Sequence, residues 1–444
     1  MIVAAATLIT VLLAVCFAGM GGLLVPRRGN SLLSWNQSFL VGISITAAAF
    51  FPLSFLFRGA ALPLVGLCLA AAGLSVLFRH PRIGFQPIQK LRGDHASLAL
   101  CLLIAAIFAQ FLVQNFKFSY LWDGYQIWAT KAYVLFLHGA MGKQWVPPGS
   151  QERLAVYPQM IPLYQALIAR IEGPFQWEAL KPVFSVFFLS LLLSTFQAAR
   201  TLVDRRVALA VTLLLALLPA VSTRFSVGGY ADMPQAALVA GALAALLDNS
   251  STSQADWRSP APWLIGGIIL VKNEGLLLAL ILCTIVIAYV LLERSTGVLA
   301  RFKQHRGAIA AATLCFALRI LTILWLHVDD PTYGPLDKQH LAHAYENLVT
   351  VPRLCLLHAL NLREWGLFWP VFLLAAIAIV IVGNWRERAV AAGASLAVVT
   401  YISIFYFTNW DITLHIDQAF DRLMVQVAPA AALVIAAAFA RLRS

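Results

Sequence analysis

Five separated strings in this sequence set ionisable side chains against long apolar runs, where a charge is costly and needs a reason. The first is Tyr120-Leu-Trp-Asp-Gly-Tyr, with Asp123 pressed between aromatic residues just past an apolar run. Partial desolvation there would strengthen the carboxylate as a base. The same residue could instead cap a helix starting at Gly124, within an aromatic belt. The second string is Ser226-Val-Gly-Gly-Tyr-Ala-Asp-Met-Pro-Gln. Asp232 suits an N-cap, with Pro234 in the first turn, or a second carboxylate that binds substrate or orients a base. The third, Val271-Lys-Asn-Glu-Gly, joins a short apolar stretch at 261–271 to a longer one at 276–292. It could be a tight hairpin. Because the first stretch is short, it also places the Lys272 ammonium at or below the membrane interface, where an ionisable group is a functional candidate suited to a lipid-linked phosphate. Arg319 stands alone inside an apolar run, to snorkel, to pair or to face a cavity. Arg422, preceded by His415 and Asp417, enters the last apolar run as an anchor or a phosphate clamp.

Other chemistries lack their residues. His340, His343 and Glu346 share a helical face but do not form HExxH, and no metal site is expected. Five of the six cysteines lie inside apolar runs, and none makes a metal-type spacing. There is no Walker A string, no GxSxG and no GxGxxG between a strand and a helix. Chemistry is therefore expected at a membrane face, on a substrate available there.

The elements that must position these residues are transmembrane helices. The chain has 444 residues, 61% hydrophobic and 12% charged, with a net charge of +12. A soluble domain runs near 45–50% apolar and about 25% charged, so the fold class expected is an all-α polytopic membrane protein. Apolar runs fall at 2–24, 37–57, 60–78, 97–116, 178–200, 207–222, 232–248, 261–271, 276–292, 308–327, 366–383, 389–407 and 423–440, about thirteen transmembrane helices. Met1 to Val25 is apolar for too long, and lacks the basic start, to be a cleaved signal peptide. Alternate short loops, from Arg27 and Arg28 to Arg441 and Arg443, hold 18 of the 32 basic residues. The positive-inside rule puts those loops in the cytoplasm, the N-terminus outside and the C-terminus inside. Three outer segments remain, at 117–177, 328–365 and 408–422, and long loops on one face carry function. In the first, Tyr125 to His138 is expected as a helix lying on the membrane with Lys131 on its wetter side. Tyr157 to Ile171, interrupted by two prolines, is expected as an interfacial or re-entrant helix; were it a full span, the topology downstream would invert.

Taken in order, the strings resemble the GT-C superfamily of bacterial glycosyltransferases, which includes protein O-mannosyltransferases and lipid A aminoarabinose transferases. Trp122-Asp-Gly-Tyr-Gln-Ile-Trp-Ala-Thr-Lys-Ala is similar to the acidic motif of that family's first loop, and Tyr157-Pro to its membrane-surface helix. Gly229-Tyr-Ala-Asp-Met-Pro resembles the second acidic motif, Lys272-Asn-Glu-Gly a later inter-span turn, and Asp421-Arg-Leu-Met the closing segment. The resemblance covers roughly residues 97–440, which implies a catalytic transmembrane core at 97–444 preceded by three additional transmembrane helices within 1–96. The large soluble C-terminal domain of some members is not expected here, and the first motif holds one acid rather than a pair, so no metal is expected. The implied activity is inverting transfer of a sugar from a polyprenyl-phosphate donor to a glycan, lipid or protein acceptor at the outer face of the inner membrane. Asp123 would be the general base. Asp232, Glu274, Lys131 and Tyr157 would bind substrate. Lys272, Arg422, Arg224 and Arg319 would meet the donor phosphate, and a groove between spans would take the polyprenyl tail. The alternatives are a transporter or flippase, or a ligase, for lipid-linked glycans. A transporter is expected to show internal repeats and ionisable residues in mid-membrane; this sequence shows no internal repeat, and its acids fall at the outer face. The orientation has a direct check: a single cysteine replacing Asp256 should react with a membrane-impermeant thiol reagent from the cytoplasmic side, and labelling from outside overturns the topology.

Overall fold

The computed structural model describes residues 2–25, 31–79, 94–142, 157–248, 259–292, 310, 313–325 and 338–443. Most of the basic loops used for orientation lie outside these residues. The described chain is an all-helical bundle. α1 (Ile2–Leu24), α2 (Leu32–Phe57) and α3 (Ala61–Arg79) come first, then α4 (His95–Lys117). A π-helical turn at Gly124–Ala129 leads into α5 (Thr130–His138), followed by α6 (Met160–Glu172), α7 (Pro182–Arg200) and α8 (Arg205–Leu217). Two single turns, α9 (Pro219–Ser222) and α10 (Arg224–Val227), precede α11 (Asp232–Leu247), α12 (Pro260–Ile269) and α13 (Gly275–Leu292). After α14 (Thr313–Trp325) come α15 (Lys338–Glu346), α16 (Thr350–Ala359), α17 (Phe368–Val382), α18 (Trp385–Ile404) and α19 (Ile412–Arg443).

Six helical segments are long and apolar enough to cross a bilayer, or seven if the pair α8 and α9–α10, bent by 73°, is one span. Five further apolar helices are only 10–17 residues long. The chain is thus a multi-pass membrane protein, with fewer full-length spans among the described residues than the about thirteen apolar runs suggested. The reason is local. The 207–222 run is broken at Pro219 and the short 261–271 run stops at the turn before Lys272, so polar backbone enters the bundle where protein, not lipid, surrounds it.

Several helix starts carry polar caps. The Asp94 side chain accepts from the Ser97 amide, Asp204 from those of Arg206 and Val207, and Asn384 with Glu387 forms a capping box. Each satisfies N–H groups that a helix start leaves open. Arg206 adds an ion pair to Asp94 at 3.3 Å, and Arg441 one to Glu387 at 3.0 Å.

α11 is the central helix, packed against α7, α12 and α19, with nearly all its side chains buried. The first three helices are not an appendage. α2 lies on α12, α1 and α2 both contact α6 and α7, and Asn36 donates to Ser194 Oγ across 2.9 Å. α6, expected as an interfacial or re-entrant helix, is packed inside the protein. Its residues Met160 to Ala169 are buried, the Tyr164 hydroxyl donates to Thr10 O at 2.7 Å, and Gln159 reaches Ala47 O at 3.0 Å. It is enclosed by protein and not laid on an interface; 13 residues also reach only about 20 Å, short of a crossing. Lys131 is likewise buried, not on a wet face, because α5 packs on α6.

α1 and α2 approach closely through small residues. A Cβ added to Gly42 would collide with Phe17 O, and one on Gly21 with Ser38 O. Gly42→Val should therefore destabilise the bundle by about 1–3 kcal/mol, read as a lower midpoint in detergent thermal unfolding; an unchanged midpoint would show that α1 and α2 can separate freely.

Candidate functional site

The site forms where α4 ends and α11 begins. Leu121 N–H donates to Gly228 O at 3.0 Å, and Asp123 N–H to the Tyr230 hydroxyl at 3.4 Å. Gly229 sits at φ +83°, and a Cβ there would run into the Tyr120 ring; glycine alone meets both demands. These contacts lace the first two motifs together. Asp123 does not cap a helix. It has helical dihedrals and makes no side-chain cap bond. Its carboxylate instead meets Arg422 at 2.6 Å, an ion pair that the sequence did not show.

Asp232 also stands inside its helix, with Ala231 at the N-cap position. Its carboxylate is 2% exposed and collects three donors. Lys272 Nζ and Gln426 Nε2 each donate to Oδ1 at 2.7 Å, and Arg422 Nε donates to Oδ2 at 3.2 Å. The Tyr401 hydroxyl, 2.6 Å from Gln426 Oε1, fixes which end of that amide faces Asp232. Lys272 is shared, with Glu274 Oε1 3.0 Å away. Arg422 is shared too. It bridges Asp123 and Asp232, and its guanidinium lies 4.2 Å from the centre of the Tyr230 ring, where planar cations stack well. Next along the turn, Asn273 accepts from Arg319 Nη2 at 2.6 Å.

Lys131 and Tyr157 close one side. Lys131 Nζ donates to the Tyr157 carbonyl, and the Trp128 and Tyr157 rings meet edge-on at 5.3 Å. Burial first, and the Arg319 charge second, hold the Lys131 ammonium well below the ordinary lysine range. Met160 N–H bonds Leu270 O at 3.2 Å, docking this side onto the end of α12.

The structure therefore gathers Asp123, Asp232, Lys272, Glu274, Arg319, Arg422, Lys131 and Tyr157 from segments up to about 300 residues apart. Arg224 opens α10; its side chain lies outside the described residues, as does that of His340. Among the described residues no three His, Cys, Asp or Glu side chains are grouped to hold a metal. The sequence did not single out Tyr230, Gln426 or Tyr401. The available signal was Gln426, a polar residue one helical turn after Arg422 within an apolar run.

A carboxylate bridged by two cations in a dry setting is a rigid charge array that an anionic group can enter by exchanging partners with a carboxylate. Comparison with known proteins bears on which group. No protein-family profile matches the sequence, and no curated protein sequence matches it. Among solved structures, ArnT from Cupriavidus metallidurans in the apo state superposes with a TM-score of 0.53 at 17% identity, covering 78% of this chain and 60% of that one. The crystal structure of ArnT from Cupriavidus metallidurans bound to undecaprenyl phosphate gives 0.52 at 17%, covering 77% and 60%. The fold is similar to that of ArnT. The chain spans 60% of the length of these structures.

The geometry makes Asp232 the keystone of the array. Asp232→Asn would leave Lys272 and Arg422 with one carboxylate each and should cost about 3–5 kcal/mol, seen as a large fall in unfolding midpoint. A loss no larger than that from a surface substitution would mean the pairs form independently of it.

Proposed function

We propose that this chain is a lipid-linked glycosyltransferase of the GT-C type. It would move a sugar from a polyprenyl-phosphate donor to a glycan, lipid or protein acceptor, with inversion at the sugar carbon. The observation that carries the reading is Arg422, one cation held between two carboxylates at 2.6 and 3.2 Å, in a fold whose solved neighbour binds undecaprenyl phosphate.

In the reaction, the bond from sugar C1 to the phosphate oxygen breaks and a bond from C1 to the acceptor oxygen forms on the opposite face. The acceptor proton passes to the base. The phosphate leaves without protonation, its charge growing from about −1 to about −2, so the site must supply cations. Arg422 would turn from Asp123 to that phosphate, strengthening its grip as the charge grows. The same exchange releases Asp123 to take the acceptor proton. Lys272 is held by Asp232 and Glu274; it would add its field to the phosphate, with Arg319 and Arg224 as further cations. Asp232 and Glu274 would also accept sugar hydroxyls, and Lys131 and Tyr157 would shape the sugar side.

An apolar cleft between α11, α13, α18 and α19, lined by Leu243, Leu278, Leu282, Val390 and Ala394, has Gln426 as its polar lining residue. Gln426 is also an Asp232 partner, so this small apolar recess adjoins the charge array. Under this reading the protein sits in the bacterial inner membrane as part of cell-envelope or glycolipid assembly. Its site faces the periplasm, where nucleotide sugars are absent and lipid must carry the donor.

Two variants test the assignment. Asp123→Asn should lower transfer about 10²–10⁴-fold while undecaprenyl phosphate still binds; retained turnover removes Asp123 as the base. Arg422→Gln should weaken binding of undecaprenyl phosphate about 10–100-fold, followed by a fluorescent or radiolabelled lipid; unchanged affinity removes Arg422 from the phosphate site.

A further inference from the structure

One ionisable cluster beside the site takes no part in the proposed reaction. His358, on α16, reaches across to α19 and meets two carboxylates at once. Its Nε2 is 2.9 Å from Asp417 Oδ1, and its Nδ1 is 3.3 Å from Asp421 Oδ2. Asp421 is anchored from a third side by Trp365, whose indole N–H donates to Oδ1 at 2.8 Å. The His358 ring also packs against Phe420, centroids 5.9 Å apart. Asp417 and Asp421 are one turn apart on α19, and Arg422 is the next residue.

We infer that His358 is a positioning residue that fixes the first turns of α19, and with them the direction of Arg422, only while its imidazole is protonated. The reason is in the donor inventory. A neutral imidazole has one N–H; an imidazolium has two. Two ionised carboxylates on the two ring nitrogens are both satisfied only by the cation. Loss of the proton leaves one nitrogen lone pair facing a carboxylate, and removes the charge that offsets two like charges at i and i+4. Asp421 keeps its Trp365 bond, so Asp417, 59% exposed, is the side that lets go.

The surroundings agree. The Asp421 hydrogen bond, helped by the Asp417 bond and by both charges, raises the His358 pKa above its ordinary value against the effect of burial. α18 also packs near α16, but its Arg386, Glu387 and Arg388 lie at its far end, where Glu387 holds Arg441. Because the folded pKa is raised, the stabilisation is fully present below the unfolded value near 6.5 and is lost as pH rises through the folded value. The link to donor affinity rests on the proposed phosphate role of Arg422; the clamp itself does not.

Hydrogen–deuterium exchange of the full chain in lipid nanodiscs at pH 6 and pH 8.5, corrected for intrinsic rate, tests it through the backbone amides of 412–424. Wild-type protection should fall about tenfold at the higher pH, the scale of one charge-assisted hydrogen bond. His358→Gln should be weakly protected at both values, and His358→Arg, which keeps a cation, protected at both. Equal protection in wild type and His358→Gln, or no pH step in wild type, overturns the clamp. Undecaprenyl phosphate binding in the same nanodiscs separates the two ideas. No binding at either pH, with exchange as described, would end the transferase reading and leave the clamp; pH-independent binding with flat exchange would do the reverse.

Discussion

Everything in this bundle is arranged around a carboxylate that cannot be left alone. Asp232 lies inside the protein at the start of the central helix, 2% exposed, where an uncompensated charge would cost several kcal/mol. Lys272, Arg422 and Gln426 answer it from two other parts of the chain. Apolar helices slide past one another at little cost, since lipid and leucine are alike in polarity. A buried charge with three fixed donors does not slide. It sets the height of α11 against α19 and against the turn that ends α12, and that height then places Asp123.

This also explains why one short helix matters. α12 has 10 residues, about 15 Å of rise, half the thickness of a hydrocarbon core. It stops where Lys272 must stand. Ser44 of α2 packs so closely on Gly267 that a Cβ would not fit, so the N-terminal helices brace the strut that delivers the lysine. The residues that carry charge are few, and much of the surrounding apolar surface serves to hold them at one depth.

Much of this was legible beforehand, and the reason is the solvent. In a bilayer, charge is expensive, so the few ionisable residues beside apolar runs were conspicuous, and Asp123, Asp232, Lys272, Glu274, Arg319 and Arg422 do meet. What a linear reading could not show is who pairs with whom. Asp123 looked like a lone base or a helix cap, but an arginine about 300 residues away claims it. Lys131 looked wet because helical periodicity marks a polar face, yet α6 covers that face. For α6, two prolines and a terminal arginine left an interfacial and a re-entrant helix both open, and only tertiary packing shows how enclosed it is. Gln426 and Tyr401 gave little warning, since single polar residues in apolar helices have many uses. His358 escaped attention because its partners, Asp417 and Asp421, lie on another helix.

The enclosed position of α6 carries a consequence for how the chain is made. The helix is synthesised early, yet its Met160 amide bonds to Leu270, which leaves the ribosome about 110 residues later, and its other walls are α1, α2 and α5. Until α12 has been inserted, α6 has no complete socket and its apolar face has nowhere permanent to go. Its socket is complete only once α12 has been made, and the charge array beside it only when α19 supplies Arg422 and Gln426. Half-built chains would carry these charged residues without bringing them together.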